Sequence, residues 1–239
     1  MPFQTFTARL LTSKPLTPFT KHLEFEMEKT ARFGFVPGQW LSLKHTKTDG
    51  EEMTRAYSIA SPPGENGRFA LCLNRVQEGF MSNFLCDMKG GDEISCQGPF
   101  GDFILRPSMR DTIFIATGTG IAPFRSMLHW LLADASRHEG RKLDLLFGSR
   151  TEQDIYYHEE FLQLAHEHDN FHYLPTLSRG ASDWKGLRGY VQEHVPGIVS
   201  GQADMHAYIC GLDKMIKANR ELLKSLGWDR KSIRYEKYD

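Results

Sequence analysis

The sequence predicts two domains: an antiparallel β-barrel over residues 1–105, followed by a doubly wound α/β domain with a five-stranded parallel sheet over residues 106–239. In the first part, short strand-like runs are separated by Pro- and Gly-containing turns, such as 36–38 and 61–64. Regular short strands of this kind are typical of an antiparallel barrel. After Pro107, apolar strands alternate with helical segments, which is the pattern of a parallel sheet covered by helices on both faces.

The individual elements follow from apolar–polar periodicity and turn residues. Strands of the barrel are predicted at 5–11, 21–27, 39–45, 54–59, 68–73 and 93–97, with one helix at about 82–88 that begins at Ser82. The five parallel strands are predicted at 112–116, 143–147, 171–176, 205–210 and 232–237. Helices are predicted over 122–137, 159–168 and 214–226, and near 190–194.

Composition and charge exclude several classes of protein. The chain has 239 residues, of which 25% are charged and 40% hydrophobic, and its formal net charge is −1. A nucleic-acid-binding protein usually carries a basic excess. No apolar stretch approaches the roughly 18–20 residues of a membrane span, and residues 1–11 lack the pattern of a signal peptide. We therefore expect a cytoplasmic protein.

Cysteine spacing argues against a metal centre in this chain. The four cysteines are Cys72, Cys86, Cys96 and Cys210, and no two of them form a C-x-x-C pair. This excludes the usual zinc-ribbon spacings and the cysteine run of a plant-type iron–sulfur cluster. Any iron–sulfur centre that takes part in the chemistry is expected on another protein.

Two short segments carry most of the functional information. Residues 55–58, Arg-Ala-Tyr-Ser, end a strand with a planar cation, an aromatic ring and a hydroxyl. Residues 118–123, Gly-Thr-Gly-Ile-Ala-Pro, follow the apolar strand 113–116 and open a helix. A strand, glycine turn and helix in this order present backbone N–H groups and a positive dipole end to a phosphate. The two segments together indicate a flavoprotein that exchanges electrons with a nicotinamide nucleotide.

Four further motifs extend this interpretation over nearly the whole chain. They are Gly-Phe-Met-Ser-Asn-Phe-Leu-Cys-Asp at 79–87, Gly-Pro-Phe-Gly at 98–101, Cys-Gly-Leu-Asp-Lys-Met at 210–215 and Glu-Lys-Tyr-Asp at 236–239. With the first two segments, they resemble the ferredoxin–NADP+ reductase family. The resemblance implies that the barrel binds FAD, that the α/β domain binds NADP(H), and that electrons pass between NADP(H) and a one-electron carrier, ferredoxin or flavodoxin, by hydride transfer at flavin N5.

The resemblance also implies which residues bind FAD. Arg55 is expected to pair with the pyrophosphate as a bidentate fork, and Tyr57 to lie on the flavin ring. The helix start at Ser82 is expected to hold the second phosphate, which favours FAD over FMN. The full set of expected FAD contacts is Arg55, Ala56, Tyr57, Ser58, Cys72, Leu73, Gly79, Phe80, Met81, Ser82, Thr119 and Tyr238.

The expected nucleotide site lies in the second domain. Gly118 and Gly120 permit close backbone approach to a pyrophosphate, and Pro123 suits a first helical turn. The second strand ends in residues 148–150, Gly-Ser-Arg, and not in an acidic residue that would hold a ribose hydroxyl. In the family, a Ser-Arg pair and a later basic residue and Tyr grip the 2′-phosphate and adenine, so NADP is expected. The expected contacts are Thr117, Gly118, Thr119, Gly120, Pro123, Ser149, Arg150, Ser178, Arg179, Arg188, Tyr190, Cys210, Gly211 and Met215.

Four residues are expected at the reacting atoms because of the same resemblance. Ser58 would hydrogen-bond near flavin N5, and Cys210 would touch the nicotinamide without acting as a nucleophile. Glu236 corresponds to a glutamate linked to proton delivery and nicotinamide placement. Tyr238 corresponds to an aromatic residue stacked on the flavin face opposite Tyr57. The additional Asp239 after that aromatic residue departs from the family pattern.

Three functional interpretations remain open. The first is a ferredoxin/flavodoxin–NADP+ reductase, for which Lys14, Lys44, Lys47, Arg75 and Lys89 are candidates for contacting an acidic partner. The second is the reductase component of an oxygenase, or an NADH-dependent enzyme like cytochrome b5 reductase. The third is a non-catalytic flavin- or nucleotide-binding redox subunit, against which the presence of Ser58, Cys210, Glu236 and Tyr238 weighs.

Overall fold

The computed structural model describes residues 4–27, 34–64, 67–202 and 204–238. These residues form two compact units, which are described separately. The first contains the chain up to Leu105 together with Ala122–Trp130, and the second contains Arg106–Ile121 and Leu131 onward. The first unit thus includes a segment that lies beyond residue 105 in the chain.

The first unit is a closed antiparallel barrel. Its six strands run in the order β4-β3-β6-β1-β2-β5. The sheet closes because Ile59, just after β4, bridges to Leu71 of β5, and the Ala60 amide donates to the Ala70 carbonyl oxygen at 2.7 Å. The predicted barrel is confirmed, and its strands are β1 (Gln4–Thr17), β2 (Thr20–Met27), β3 (Trp40–Thr46), β4 (Glu52–Ser58), β5 (Arg68–Asn74) and β6 (Glu93–Phe100).

Aromatic and aliphatic side chains fill the barrel. Phe25 and Phe69 stack with their ring centroids 5.3 Å apart, and Phe6 meets Phe69 edge-on at 6.3 Å. Helix α1 (Phe80–Asp87) adds Met81 and Leu85 to this core. The Gly-Pro-Phe-Gly motif supplies the last three residues of β6 and the glycine that follows.

The second unit is a parallel sheet whose strands run in the order β10-β9-β8-β7-β11-β12. All five predicted strands are present, and a sixth, two-residue strand pairs Leu187 and Arg188 with Thr176 and Leu177 at one edge. A pair this short gives no periodic signal in the sequence. The strands are β7 (Thr112–Thr117), β8 (Leu143–Ser149), β9 (Phe171–Leu177), β10 (Leu187–Arg188), β11 (His206–Leu212) and β12 (Ile233–Tyr238).

Four helices connect these strands: α2 (Ile121–Leu132), α3 (His158–Glu167), α4 (Val191–Ile198) and α5 (Asp213–Ser225). On one face of the sheet, Phe161 of α3 packs 5.4 Å from Tyr173 of β9. On the other, Val195 of α4 and Leu223 of α5 share a buried cluster with strand residues such as Ile113. Helix α2 ends five residues before the predicted end, because residues 135–137 form a separate 3₁₀ turn.

The strand order creates a switch point next to β7. From β7, the sheet extends through β8 in one direction and through β11 in the other. In open parallel sheets, ligands bind outside the carboxyl ends of the strands at such a point. A nucleotide site is therefore expected at the residues that follow β7, β8 and β11.

Candidate functional site

The barrel places the Arg-Ala-Tyr-Ser segment at the end of β4. Arg55 and Ala56 are exposed, Tyr57 is half-buried and Ser58 is only 6% exposed. The Arg55 Nη1 donates to the carbonyl oxygen of its neighbour Thr54 at 2.8 Å, a bond that leaves most of the guanidinium's donors available. Burial raises the pKa of Tyr57 to about 12, so that its phenol stays neutral at physiological pH.

Helix α1 covers the face of β4 that carries Arg55 and Tyr57. In the β3–β4 ladder, His45 lies opposite Met53, so the two side chains share a face. Alternation along β4 places Arg55 and Tyr57 on that same face. His45 stacks on Phe84 of α1 with ring centroids 3.6 Å apart. A cation, an aromatic ring and a helix therefore occupy one side of the strand pair.

Helix α1 begins at Phe80, so the prediction that Ser82 caps its N-terminus is wrong. Gly79 is the N-cap, and a Cβ there would lie 2.7 Å from the Ser82 Oγ and 2.9 Å from the Val76 Cβ. Ser82 folds back instead: its hydroxyl donates to the Gly79 carbonyl at 3.0 Å and accepts from the Val76 amide at 3.1 Å. The amides of the first helical turn have no partner within the helix and can bind an anion.

Besides Ser58 and Ser82, three of the expected FAD contacts have buried side chains. Leu73 and Met81 are each 2% exposed and belong to the barrel core, and Cys72 is 5% exposed. Contact of a ligand with these three positions would fall mainly on their backbone. Phe80, by contrast, is half-buried.

In the second unit, residues 118–120 form one 3₁₀ turn between β7 and α2. Gly118 has a φ of +56°, and a Cβ built on it would meet nothing within 4 Å. Gly120 is tightly enclosed, because a Cβ there would overlap the carbonyl oxygen of Cys210 and lie 2.7 Å from the Gly211 nitrogen. The turn thus has an open side at Gly118 and a side pressed on β11 at Gly120. Thr119 lies between them, and Pro123 is in the first turn of α2.

The end of β11 meets the end of β7 at the switch point. Gly211 has a φ of +139°, and a Cβ on it would lie 2.5 Å from the Thr117 Oγ1. The same Cβ would lie 3.1 Å from the Met215 Cε. The Leu212 amide donates to the Thr117 hydroxyl at 3.4 Å. The structure therefore brings together five of the expected nucleotide contacts: Thr117, Gly118, Gly120, Cys210 and Gly211.

Cys210, Glu236 and Tyr238 lie on the adjoining strands β11 and β12. Cys210 is fully buried and pairs in register with Glu236. Burial raises the pKa of the Cys210 thiol well above its ordinary value, and the Glu236 carboxylate raises it further, whereas Tyr238 and the Gly211 amide act in the opposite sense. The thiol is therefore protonated and a poor nucleophile. Ser58 belongs to the other unit.

Two arginines are held next to one another at the ends of β8 and β9. The Arg179 amide donates to the Arg150 carbonyl at 2.8 Å, and the Ser178 amide donates to the Ser149 carbonyl at 3.1 Å. Both arginines are exposed, and neither guanidinium has an ion pair within the described residues. The pair places two positive charges at the carboxyl ends of β8 and β9. The Glu152 carboxylate is also part of this region, because it accepts from the Ala181 amide at 3.2 Å.

The Tyr190 side chain is exposed to solvent, whereas the Arg188 guanidinium is hydrogen-bonded to the backbone. Tyr190 is 62% exposed and precedes α4. The Arg188 guanidinium is bound to backbone carbonyls of the loop 180–184. The guanidinium of Arg188 is therefore bonded to the protein's own backbone, whereas the family resemblance implies a contact with the 2′-phosphate.

Three of the five basic residues expected to meet an acidic partner are already paired. Lys44 forms an ion pair with Glu52 and Lys47 with Glu51, both within the β3–β4 hairpin. Arg75 binds the Asp87 carboxylate and also donates to the Asn83 Oδ1 at 2.9 Å. For Lys14 and Lys89 no ion pair is present in the described part of the chain. Because nearby carboxylates offset three of the five positive charges, these positions form a weaker basic patch than the sequence predicts.

In the part of the chain that the structure describes, no group of three or more His, Cys, Asp or Glu residues is arranged to hold a metal ion. Likewise, none of the helices there is long and apolar enough to cross a membrane.

Two family models match the chain. One is an oxidoreductase FAD-binding domain over residues 7–104, and the other is an oxidoreductase NAD-binding domain over residues 114–221. Ferredoxin–NADP reductase B of Sorangium cellulosum is 43% identical over 245 residues, which cover 99% of this chain and 98% of that protein. The reductase component DmpP of a Pseudomonas phenol 2-monooxygenase is 35% identical over 211 residues, which cover 85% of this chain and 57% of that protein.

Solved structures share the fold along the whole chain. A ferredoxin NADP+ reductase from Neisseria gonorrhoeae with bound FAD and NADP has a TM-score of 0.84 and 23% identity, covering 98% of this chain and 97% of that one. The Amycolatopsis cytochrome P450 reductase GcoB has a TM-score of 0.87 and 25% identity, covering 99% of this chain and 70% of that one. With its FAD-binding and NAD-binding domains and a 43% identical relative of the same length, this chain is an oxidoreductase of the ferredoxin–NADP reductase family.

Proposed function

We propose that the protein transfers electrons between NADP(H) and a ferredoxin-type carrier by way of bound FAD. The observation that carries the coenzyme assignment is the pair Arg150 and Arg179, which are joined by a backbone hydrogen bond at the carboxyl edge of the sheet. Two guanidinium groups that form no ion pair within the described residues suit a dianionic 2′-phosphate. An NAD-selective site would more often offer a carboxylate to the ribose.

The barrel residues fit FAD. Arg55 supplies exposed guanidinium donors for a pyrophosphate, and the first turn of α1 supplies amides on the same face of the β3–β4 pair. Tyr57 offers a neutral aromatic ring for stacking, and the Ser58 hydroxyl lies one residue further along β4. When bound, FAD supplies the chemistry by which a two-electron donor is coupled to a one-electron acceptor.

The second unit fits a nicotinamide nucleotide. The open side of Gly118 admits a pyrophosphate against the amides that begin α2, and Ser178 and Arg179 receive the 2′-phosphate. Tyr190 is exposed and free to stack on adenine. Cys210, as a buried neutral thiol, contacts the nicotinamide by packing.

Glu236 and Tyr238 complete the assignment. Glu236 holds and delivers a proton at its carboxylate and helps to place the nicotinamide. Tyr238 covers the flavin face that the nicotinamide must occupy and competes with it for stacking. Asp239, the departure from the family pattern, lies outside the described residues, so this proposal assigns it no role.

The electron partner is a separate protein. The chain's cysteines lack cluster spacing, and all four are buried and outside any disulfide. A ferredoxin is proposed because a relative that matches the whole chain is a ferredoxin–NADP reductase, and a flavodoxin is a second candidate of the same redox class. Cysteines that form no disulfide also support a reducing compartment, the cytoplasm.

The 35% identity to a phenol 2-monooxygenase reductase component favours one alternative function. In that case the protein would supply electrons to an oxygenase and would use NADH as readily as NADPH.

The test uses the FAD-loaded protein under anaerobic conditions with three acceptors: a [2Fe–2S] ferredoxin, a flavodoxin and an oxygenase component. We expect NADPH-driven reduction of the ferredoxin, with Arg179→Ala raising the KM for NADPH and leaving NADH kinetics unchanged. Arg141→Ala serves as the control, because it removes a charge just before the start of β8, at the opposite end of that strand from Arg150. Equal use of NADH and NADPH by the unaltered protein would contradict the coenzyme assignment.

A further inference from the structure

Helix α2 packs against the barrel along residues 122–130. Phe124 is fully buried, and its ring centroid lies 5.9 Å from that of Phe103, which follows the last barrel strand. Met127 lies against the turn at Gly38, because a Cβ on that glycine would be 2.5 Å from the Met127 Cε. These contacts explain why this part of α2 belongs to the first unit, although it comes after residue 105 in the chain.

Arg125 lies between these two helix residues and binds the backbone of the barrel. Its Nη1 donates to the carbonyl oxygen of Ala60 at 2.9 Å. A bond from a guanidinium to a carbonyl is charge-assisted and stronger than a bond between neutral groups. Ala60 is fully buried, so that bulk water cannot replace this donor if the bond is lost.

The hydrogen-bond ladder that closes the barrel is incomplete at Ala60. Two residues that form a hydrogen-bonded pair in antiparallel strands exchange both of their N–H···O bonds. Here the Ala60 amide donates to the Ala70 carbonyl at 2.7 Å, whereas the Ala70 amide donates to the Ser61 hydroxyl at 2.9 Å. The Ala60 carbonyl is thus released from the strand pair, and Arg125 takes the place of the missing ladder donor.

The Ala60 carbonyl lies close to Ser58 along the chain. Two residues of extended backbone span only about 7 Å, so a displacement at Ala60 is transmitted to the end of β4. Ser58 pairs with Trp40 of β3, and the Ile59 amide donates to the Gln39 carbonyl at 3.0 Å. The strand end that carries Ser58 is therefore held by β3 and β5 and, through Arg125, by α2.

We propose that Arg125 is a positioning residue of the flavin site: by binding the Ala60 carbonyl, it fixes the strand end that presents the Ser58 hydroxyl to the flavin. The role of Ser58 at the flavin rests on the proposed function, whereas the fixing of residues 58–61 by Arg125 does not. Loss of the bond should slow flavin reduction, because a small displacement at the reacting atoms lowers the rate without weakening nucleotide binding.

The test compares Arg125→Ala, Arg125→Met and Arg125→Lys in the FAD-loaded full chain. Methionine keeps an unbranched apolar stem and removes the donors, whereas lysine keeps a donor and the charge. Arg9→Ala removes an arginine that is paired with Glu26 on the same barrel and serves as the charge control. Stopped-flow reduction by NADPH gives the limiting rate and the half-saturating concentration, and hydrogen exchange gives the protection of the amides of residues 58–61.

We expect Arg125→Ala and Arg125→Met to lower the limiting rate about tenfold and to speed the exchange of the amides of residues 58–61. FAD retention and the half-saturating concentration of NADPH should stay within about twofold of the unaltered protein. Arg125→Lys should recover most of the rate, because one carbonyl needs only one donor. In a Ser58→Ala background, Arg125→Met should change the rate by less than about twofold, since a residue that acts through a hydroxyl has no effect once that hydroxyl is absent.

Three results would overturn the proposal. The first is an unchanged limiting rate, or unchanged amide exchange, in Arg125→Met. The second is an equal loss of rate with and without the Ser58 hydroxyl, because Arg125 would then not act through Ser58. The third is loss of folding in both Arg125→Ala and Arg125→Met, which would make Arg125 a residue of stability alone.

Failure of the proposed function would give a different result. If NADPH did not reduce the flavin of the unaltered protein, the proposed function would fail. The exchange of residues 58–61 in Arg125→Met would still decide whether Arg125 holds the strand end.

Discussion

The backbone of Gly120 lies directly against Cys210, so that a Cβ at residue 120 would overlap the Cys210 carbonyl oxygen. This contact joins the glycine turn after β7 to the end of β11. Gly118, two residues earlier in the same turn, faces open space. The two positions of the motif are thus glycine for different reasons. Gly120 is required by the protein's own packing, and Gly118 leaves open space beside the turn.

Substitutions at the two glycines should therefore have different effects. Gly120→Ala should lower the free energy of unfolding by about 2–3 kcal/mol, because backbone atoms cannot rotate away as a side chain can. Gly118→Asn should cost about 1 kcal/mol or less, since asparagine tolerates a positive φ. It should nevertheless weaken NADP(H) binding strongly, because its side chain fills the open side. Urea unfolding and nucleotide titration of both variants check this, and normal binding by Gly118→Asn would contradict it.

Arg55→Ala should reduce FAD occupancy. In the proposed site the side chain makes a charge-assisted contact of about 1.5–3 kcal/mol with the pyrophosphate, so the dissociation constant should rise at least tenfold. Absorbance at the flavin band relative to protein, after gel filtration, measures the retention. Arg9→Ala removes an arginine that is paired with Glu26 on the same barrel and serves as the control. Equal FAD retention in the two variants would exclude Arg55 from the site.

His206 should make the stability of the protein pH-dependent. It is 5% exposed, and burial, together with Arg106, Arg110 and Arg234, lowers its pKa from 6.5 to about 4, while Asp204 acts in the opposite sense. The unfolded chain therefore binds a proton below pH 6.5 that the folded chain binds only near pH 4. The contribution to stability is complete above pH 6.5 and is lost as the pH falls towards 4.

The expected loss from this residue is up to about 2 kcal/mol at pH 5. Urea unfolding of the unaltered protein and of His206→Phe at pH 7.5 and pH 5.0 tests this, because phenylalanine does not titrate. His206→Phe should lose less stability between the two pH values. A pH dependence that is identical in both proteins would show that His206 is not its source.

Tyr238→Ser should change coenzyme selectivity. If Tyr238 competes with the nicotinamide for a stacking site worth about 0.5–1.5 kcal/mol, its removal should tighten nicotinamide binding, favour NADH relative to NADPH and alter the flavin spectrum. Tyr235→Ser is the matched control, because Tyr235 lies on the same strand but packs under Arg220, 3.7 Å from its guanidinium carbon to the ring centroid. Unchanged coenzyme preference and flavin absorbance in Tyr238→Ser would exclude this role.

Most of the fold follows from periodicity and turn residues, and the exceptions have physical causes. Ser82 resembles an N-cap in sequence, but its hydroxyl bonds back to Val76 and Gly79, so the helix begins earlier, at Phe80. Strand β10 escapes prediction because two residues carry no periodic signal. The glycine turn at 118–120 is predictable because the pattern of strand, glycines and helix that produces it is local in sequence.

Side-chain partners were less predictable than backbone elements. The pairing of Lys44 with Glu52 depends on the register of a hairpin, which a pattern of basic residues does not reveal. Similarly, the carbonyl oxygens that accept from Arg188 belong to the loop 180–184. The tight contacts of Gly180 and Gly186 with neighbouring side chains, among them Trp184, constrain the path of that loop. A motif identifies which residue types are available, whereas the three-dimensional structure decides which of them are already engaged.

The central claim, that the protein passes electrons from NADPH through FAD, is tested most directly by stopped-flow reduction. The FAD-loaded protein is mixed anaerobically with NADPH, and in a second series with NADH, while the oxidised flavin absorbance is followed. The account predicts rapid loss of that absorbance with NADPH, with a lower half-saturating concentration than for NADH. Failure of NADPH to reduce the flavin, or a clear preference for NADH, would contradict it.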